Sequence, residues 1–93
     1  AQTNEITARL RQQIAIAEQS LKSVKLYQTA ILPQAKLTVE SALAAYQVNR
    51  VDFLTLLDNQ MTVFDFETSL ITAMANYNKA VAEIDLLAGK KQH

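Results

Sequence analysis

The sequence predicts an all-α chain, an antiparallel hairpin of two long helices with coiled-coil character. Three observations carry that expectation. Gly and Pro occur once each in 93 residues, so the several turns that a β-sandwich or an α/β fold needs have almost nothing to be made from. Ala, Leu, Gln and Lys are plentiful, and all are good helix formers. Apolar residues recur at alternating steps of three and four through both halves of the chain, the spacing of a helix face that packs on another helix.

The first helix is expected over about residues 4–48. Ile14, Ala17, Leu21, Val24, Ile31 and Ala35 form its apolar seam, with Gln28 in the one vacancy. Pro33 interrupts this stretch. A proline inside a helix removes one backbone hydrogen bond, crowds the carbonyl of Thr29 and costs about 3 kcal/mol. The apolar spacing nevertheless continues across it through Ile31, Ala35, Val39, Ala42 and Tyr46. A continuous helix kinked near Pro33 is therefore expected, the alternative being a break into separate helices.

The short polar stretch from Tyr46 to Phe53 separates the two patterns and reads as the hairpin tip, at residues 48–51. Asn49 suits the left-handed backbone conformation that ends a helix better than other non-glycine residues. Asp52 falls where the first turn of the next helix favours a negative charge.

The second helix is expected over about residues 52–88. Leu56, Val63, Leu70, Tyr77 and Ile84 repeat every seventh residue, and Phe66, Ala73, Ala80 and Leu87 fill the intervening positions with Asn59 as the polar exception. A second seam of Leu57, Met61, Phe64, Ile71, Ala75 and Ala82 lies nearly opposite, interrupted by Thr68 and Asn78. A polar strip runs between the two, through Thr55, Asp58, Thr62, Asp65, Ser69, Thr72 and Asn76. Gly89, with Lys90 and Lys91 after it, reads as a helix stop. A helix with one partner needs one seam. Two seams call for neighbours on both sides, so the chain is expected to be part of a larger assembly and, by itself, to associate through its seams as a dimer or higher oligomer. Because it lacks a starting Met, it is also expected to be a processed or excised piece.

Composition narrows the functions. Nine basic and nine acidic residues cancel, which leaves no electrostatic footprint for nucleic acid or an anionic membrane. No apolar run approaches the roughly 18 residues that span a bilayer. Without cysteine there is neither a disulfide framework nor thiol chemistry. No phosphate-cradling loop, nucleophile–base set or metal-ligand cluster appears, so neither an enzyme nor a cofactor or metal site is expected. His93 is either native or the first residue of a purification tag. Met61 and Met74 are 13 positions apart and read as core packing rather than as ligands for a soft ion. Tyr27, Tyr46 and Tyr77 read as seam or seam-edge aromatics, with hydroxyls able to reach a polar neighbour. Asp58 and Asp65 share one helix face two turns apart; they read as a solvated face or as an acidic strip lining the lumen of an assembly.

Three blocks carry a further signal: Leu26 to Ala35; Ala45 to Gln60, including Leu57-Asp58-Asn59-Gln60; and Ala75 to Ala80, closing on Leu87-Ala88-Gly89. In content and order they resemble the C-terminal repeat of the TolC-like outer-membrane efflux proteins, especially the heavy-metal efflux branch. That resemblance implies a trimeric channel whose outer-membrane β-barrel continues as a periplasmic α-helical barrel. This chain would supply a helix descending to the periplasmic tip, the tip turn and the returning helix. It further implies that the tip, at Val48, Asn49, Arg50 and Val51, docks a periplasmic adaptor (membrane fusion) protein. The acidic residue of the Leu-Asp block, Asp58, would line the lumen at the closed gate. The family usually has Gly where this chain has Asn49, and some members carry a second acid where it has Thr55. The alternative is a free-standing coiled-coil interaction or signalling module.

Overall fold

The computed structural model describes residues 2–92, with side chains from 4 to 90; His93 lies outside them. The chain is all-α, an antiparallel hairpin of long helices. Helix α1 is Gln2–Leu26, a π-helical turn follows at Tyr27–Ile31, α2 is Leu32–Gln47, and α3 is Phe53–Gln92. Two compact units divide the chain, one holding the residues up to Val24 and from Thr72 onward, the other Lys25–Ile71.

In the first unit α1 packs on the later part of α3 through small side chains. Ala17, Ser20, Ala73 and Ala80 are buried together with Leu87, and Leu10, Gln13, Val24, Tyr77 and Ile84 are half-buried beside them. In the second unit Leu32, Ala42 and Leu56 are buried, flanked by half-buried Ile31, Ala35, Val39, Asn59, Val63 and Phe66. The rings of Tyr27 and Phe66 meet with centroids 6.1 Å apart at 52°, a tilted pairing that suits the quadrupoles of the two rings. Burying a Leu stabilises by about 1.5–3 kcal/mol. Yet no large side chain among those described falls below 2% exposure, because one helix facing another cannot enclose a side chain on every side.

Of the two seams expected on α3, the first is the one that packs within the chain. Leu56, Asn59, Val63, Phe66, Leu70, Ala73, Tyr77, Ala80, Ile84 and Leu87 are all buried or half-buried. On α1 the expected register needs correction. Ile14 and Leu21 are exposed at 40% and 36%, and the inward positions are Leu10, Gln13, Ala17, Ser20, Val24 and Tyr27. Ala17, Val24, Ile31 and Ala35 of the expected seam do turn inward, but Gln13 and Ser20 take the positions that hydrophobicity alone gave to Ile14 and Leu21.

Where a kink near Pro33 was expected, a π turn lies immediately upstream. The helical run is unbroken across the proline. The Leu32 N–H reaches back five residues to the Tyr27 carbonyl, and the wider turn makes room for a ring that would otherwise press on the Thr29 carbonyl. The Thr29 hydroxyl donates to the Lys25 carbonyl at 2.6 Å, a back-bond that itself tends to bend helices. The π turn also does something the proline does not require. Before it, the inward positions run 10, 13, 17, 20, 24, 27; after it they run 32, 35, 39, 42, one residue later than strict alternation would place them. The extra residue of the π turn absorbs a phase error of about 100°. It also lets adjacent Ile31 and Leu32 both turn inward.

Two boundaries differ from expectation. Helix α3 begins at Phe53 with Asp52 as its cap, and it runs through Gly89 to Gln92. Gly89 does not have positive φ, so it is not the left-handed stop that the sequence suggested. Glycine inside a helix costs only about 1 kcal/mol, and the surrounding Ala88, Lys90 and Lys91 favour continuation.

If the π turn corrects phase, removing its extra residue should be tolerated. Deleting the exposed Ala30 together with Pro33→Ala shifts Leu32, Ala35, Val39 and Ala42 into regular alternation with α1. This double variant is expected to melt at or above the parent temperature by circular dichroism. Pro33→Ala alone leaves the mismatch and should retain the π turn. A marked fall in melting temperature for the deletion variant would refute the phase argument.

Candidate functional site

The tip is built by two capping devices back to back. Helix α2 ends at Gln47, Val48 leaves it at φ −107°, ψ 19°, and Asn49 adopts φ 60°, the left-handed conformation expected of it. The Asn49 N–H donates to the Tyr46 carbonyl at 3.0 Å and the Arg50 N–H to the Ala45 carbonyl at 2.8 Å. These are the two bonds of a Schellman ending, and they satisfy carbonyls that the helix leaves without partners. Asn tolerates the positive φ that a β-branched residue resists.

Asp52 then caps α3. Its Oδ1 accepts the Thr55 backbone N–H at 2.9 Å and the Thr55 hydroxyl at 2.7 Å. The hydroxyl bond first, and the backbone bond after it, hold the Asp52 carboxyl below its ordinary value. The side chain is an N-cap bonded to the third residue of the helix. Thr55, where a second acid was noted as missing, is thus the residue that orients this cap.

Of the four tip residues expected from the sequence, Val48, Asn49 and Arg50 are exposed and Val51 is half-buried. The structure adds three that the sequence reading did not assign to the tip surface. Phe53 and Leu54 are 56% and 66% exposed, and Tyr46, expected in the seam or at its edge, is exposed with its ring 6.0 Å from that of Phe53. The tip surface is therefore aromatic and aliphatic around one cation, Arg50. The readable signal was apolar residues in the first turn of a helix, ahead of its seam.

Asp58 is exposed on the polar strip of α3, as are Thr55, Thr62 and Asp65. The Thr62 hydroxyl donates to the backbone carbonyl of Asp58 at 3.0 Å, which leaves the Asp58 carboxylate facing water. The structure does not bring Asp58 together with the tip residues. Opposite the packed seam, Leu57, Met61, Phe64, Ile71, Ala75 and Ala82 are all exposed, Phe64 at 70%. Met61 and Met74 are exposed at 56% and 43%, so neither is core packing as expected; both belong to the outward surface of α3. Among the described residues no three His, Cys, Asp or Glu side chains are placed to share a metal ion, and no helix is long and apolar enough to cross a membrane. No protein-family model, curated protein or solved structure matches the chain.

The cap carries a pH signature. A folded-state pKa below the unfolded value of about 3.9 adds stability above that pH and loses it as pH falls through the folded value. At neutral pH Asp52→Ala should lower the melting temperature, while Asp52→Asn, which keeps the acceptor, should retain most of it. The remaining gap between parent and Asp52→Asn should close below about pH 4. Thermal melts across pH check this, and an Asp52→Ala protein as stable as the parent at pH 7 would sink it.

Proposed function

We propose that this hairpin is the periplasmic entrance segment of a TolC-like trimeric outer-membrane efflux channel. In this reading it forms conduit wall and docks a periplasmic adaptor protein through its tip. The observation that carries the reading is the division of α3 into a packed apolar face, a bare apolar face opposite, and a polar strip between them. In a closed ring each helix touches a neighbour on either side and shows its remaining surface to the lumen or the outside. The strip of Thr55, Asp58, Thr62 and Asp65 is then the lumen side, and Asp58 a gate carboxylate. The tip, with Asn49 holding the turn and Val48, Arg50 and Val51 around it, is the adaptor surface, to which exposed Phe53 and Leu54 add apolar area. The sequence blocks that resemble the family support the same assignment.

The tip assignment predicts a difference between two substitutions in the full channel. Asn49→Gly preserves export, because glycine adopts positive φ at no steric cost. Asn49→Val impairs it, because a β-branched residue there distorts the turn. Resistance that depends on export, measured beside channel abundance in the outer membrane, tests both; normal export by Asn49→Val at normal abundance removes the docking role. The gate assignment predicts that Asp58→Asn lowers cation selectivity and weakens block by multivalent cations in planar-bilayer recordings. Unchanged selectivity would return Asp58 to a solvated face.

A further inference from the structure

Within the unit Lys25–Ile71, helix α3 turns an apolar stripe to solvent at Leu57, Met61, Phe64 and Ile71. Soluble monomers rarely expose a contiguous apolar patch beyond a few hundred Å², and anchors at steps of four, three and seven are the spacing by which a second helix seats itself. The borders of the stripe are charged with one sign. Asp58 and Asp65 follow one edge and Glu67 the other, and from Val51 to Asn78 the chain contains no Lys, Arg or His. Across the hairpin, the nearest charges beside Gln60 and Val63 are Lys36 and Glu40, which offset each other. A chain that is neutral as a whole therefore presents a locally acidic surface along this stripe.

The sign of the borders selects the occupant. Two copies joined through this same stripe would set Asp58, Asp65 and Glu67 of one against those of the other, and like charges across an interface disfavour pairing. We propose that the stripe docks an amphipathic helix of a partner protein whose apolar face is bordered by Lys or Arg. Apolar contact with Leu57, Met61, Phe64 and Ile71 supplies the attraction, and the carboxylates choose the partner and its register. The span from Leu57 to Ile71 is roughly 21 Å at 1.5 Å per residue, which sets the length of helix it accommodates. The proposal rests on the stripe and its borders alone, and it gives this face a different occupant from the ring neighbour of the channel reading, so the two stand or fall separately.

The test titrates the full chain with two designed helical peptides of that length, identical along a Leu/Ile stripe and bordered by Lys in one and by Glu in the other. Fluorescence anisotropy at low salt should show the Lys peptide binding roughly tenfold tighter or better. That advantage should shrink in about 1 M salt and in the combined variant Asp58→Asn, Asp65→Asn, Glu67→Gln. Phe64→Ser should abolish binding of both peptides without loss of helicity, since its side chain is 70% exposed. Equal affinity for the two peptides, indifference to Phe64→Ser, or failure of both to bind would each overturn the proposal.

Discussion

A pair of helices has one line of contact, and both must keep their inward residues on it. Helix α3 meets this demand without interruption, with inward positions alternating by three and four from Leu56 to Leu87. The first half of the chain does not. Its inward positions before Tyr27 and after Ile31 belong to two patterns one residue out of phase, and the π turn joins them. A break would forfeit the backbone bonds of several residues. A regular helix would expose either Leu32, Ala35, Val39 and Ala42 or the set ending at Tyr27. One wide turn, at the cost of a displaced hydrogen bond, is the smallest disturbance that keeps both packed. Pro33 supplies the lesion, but the seam supplies the reason for the extra residue.

The tip shows a similar economy. Two helices are ended and begun within five residues, Val48 to Asp52, without a glycine. The Schellman bonds of Asn49 and Arg50 and the Asp52–Thr55 cap satisfy the backbone locally, so the apolar side chains around the turn are not needed to hold it. Val48, Phe53 and Leu54 are thereby left exposed. A turn that is secured by its own backbone leaves its exposed side chains without a structural duty.

Helix α3 is two-faced for a reason that packing alone does not supply. Its inward stripe contains small residues, Ala73 and Ala80, whereas its outward stripe carries Met61, Phe64 and Ile71. Leu56, Phe66, Tyr77 and Leu87 also line the inward stripe, so large apolar side chains lie on both faces, and those of the outward face are exposed. In the channel reading that face meets a neighbouring helix of the ring; in the more general one, it selects a helix with basic borders. Either way, the hairpin is incomplete as a hydrophobic object.

The sequence alone determined that the protein is a helical hairpin, because the scarcity of Gly and Pro and the apolar periodicity leave no other fold. It also marked the two apolar seams of α3, though not which of them turns inward, and the left-handed Asn49, because few residues accept that conformation. The tertiary structure decided the rest. Ile14 and Leu21 look inward by hydrophobicity and are not, because Gln13 and Ser20 lie in phase with the partner and they do not. Gly89 looks like a stop and is helical, because a stop requires a backbone conformation and not merely a glycine. The π turn was invisible because each half of its helix is regular by itself. Only the partner, with its single line of contact, measures one half against the other.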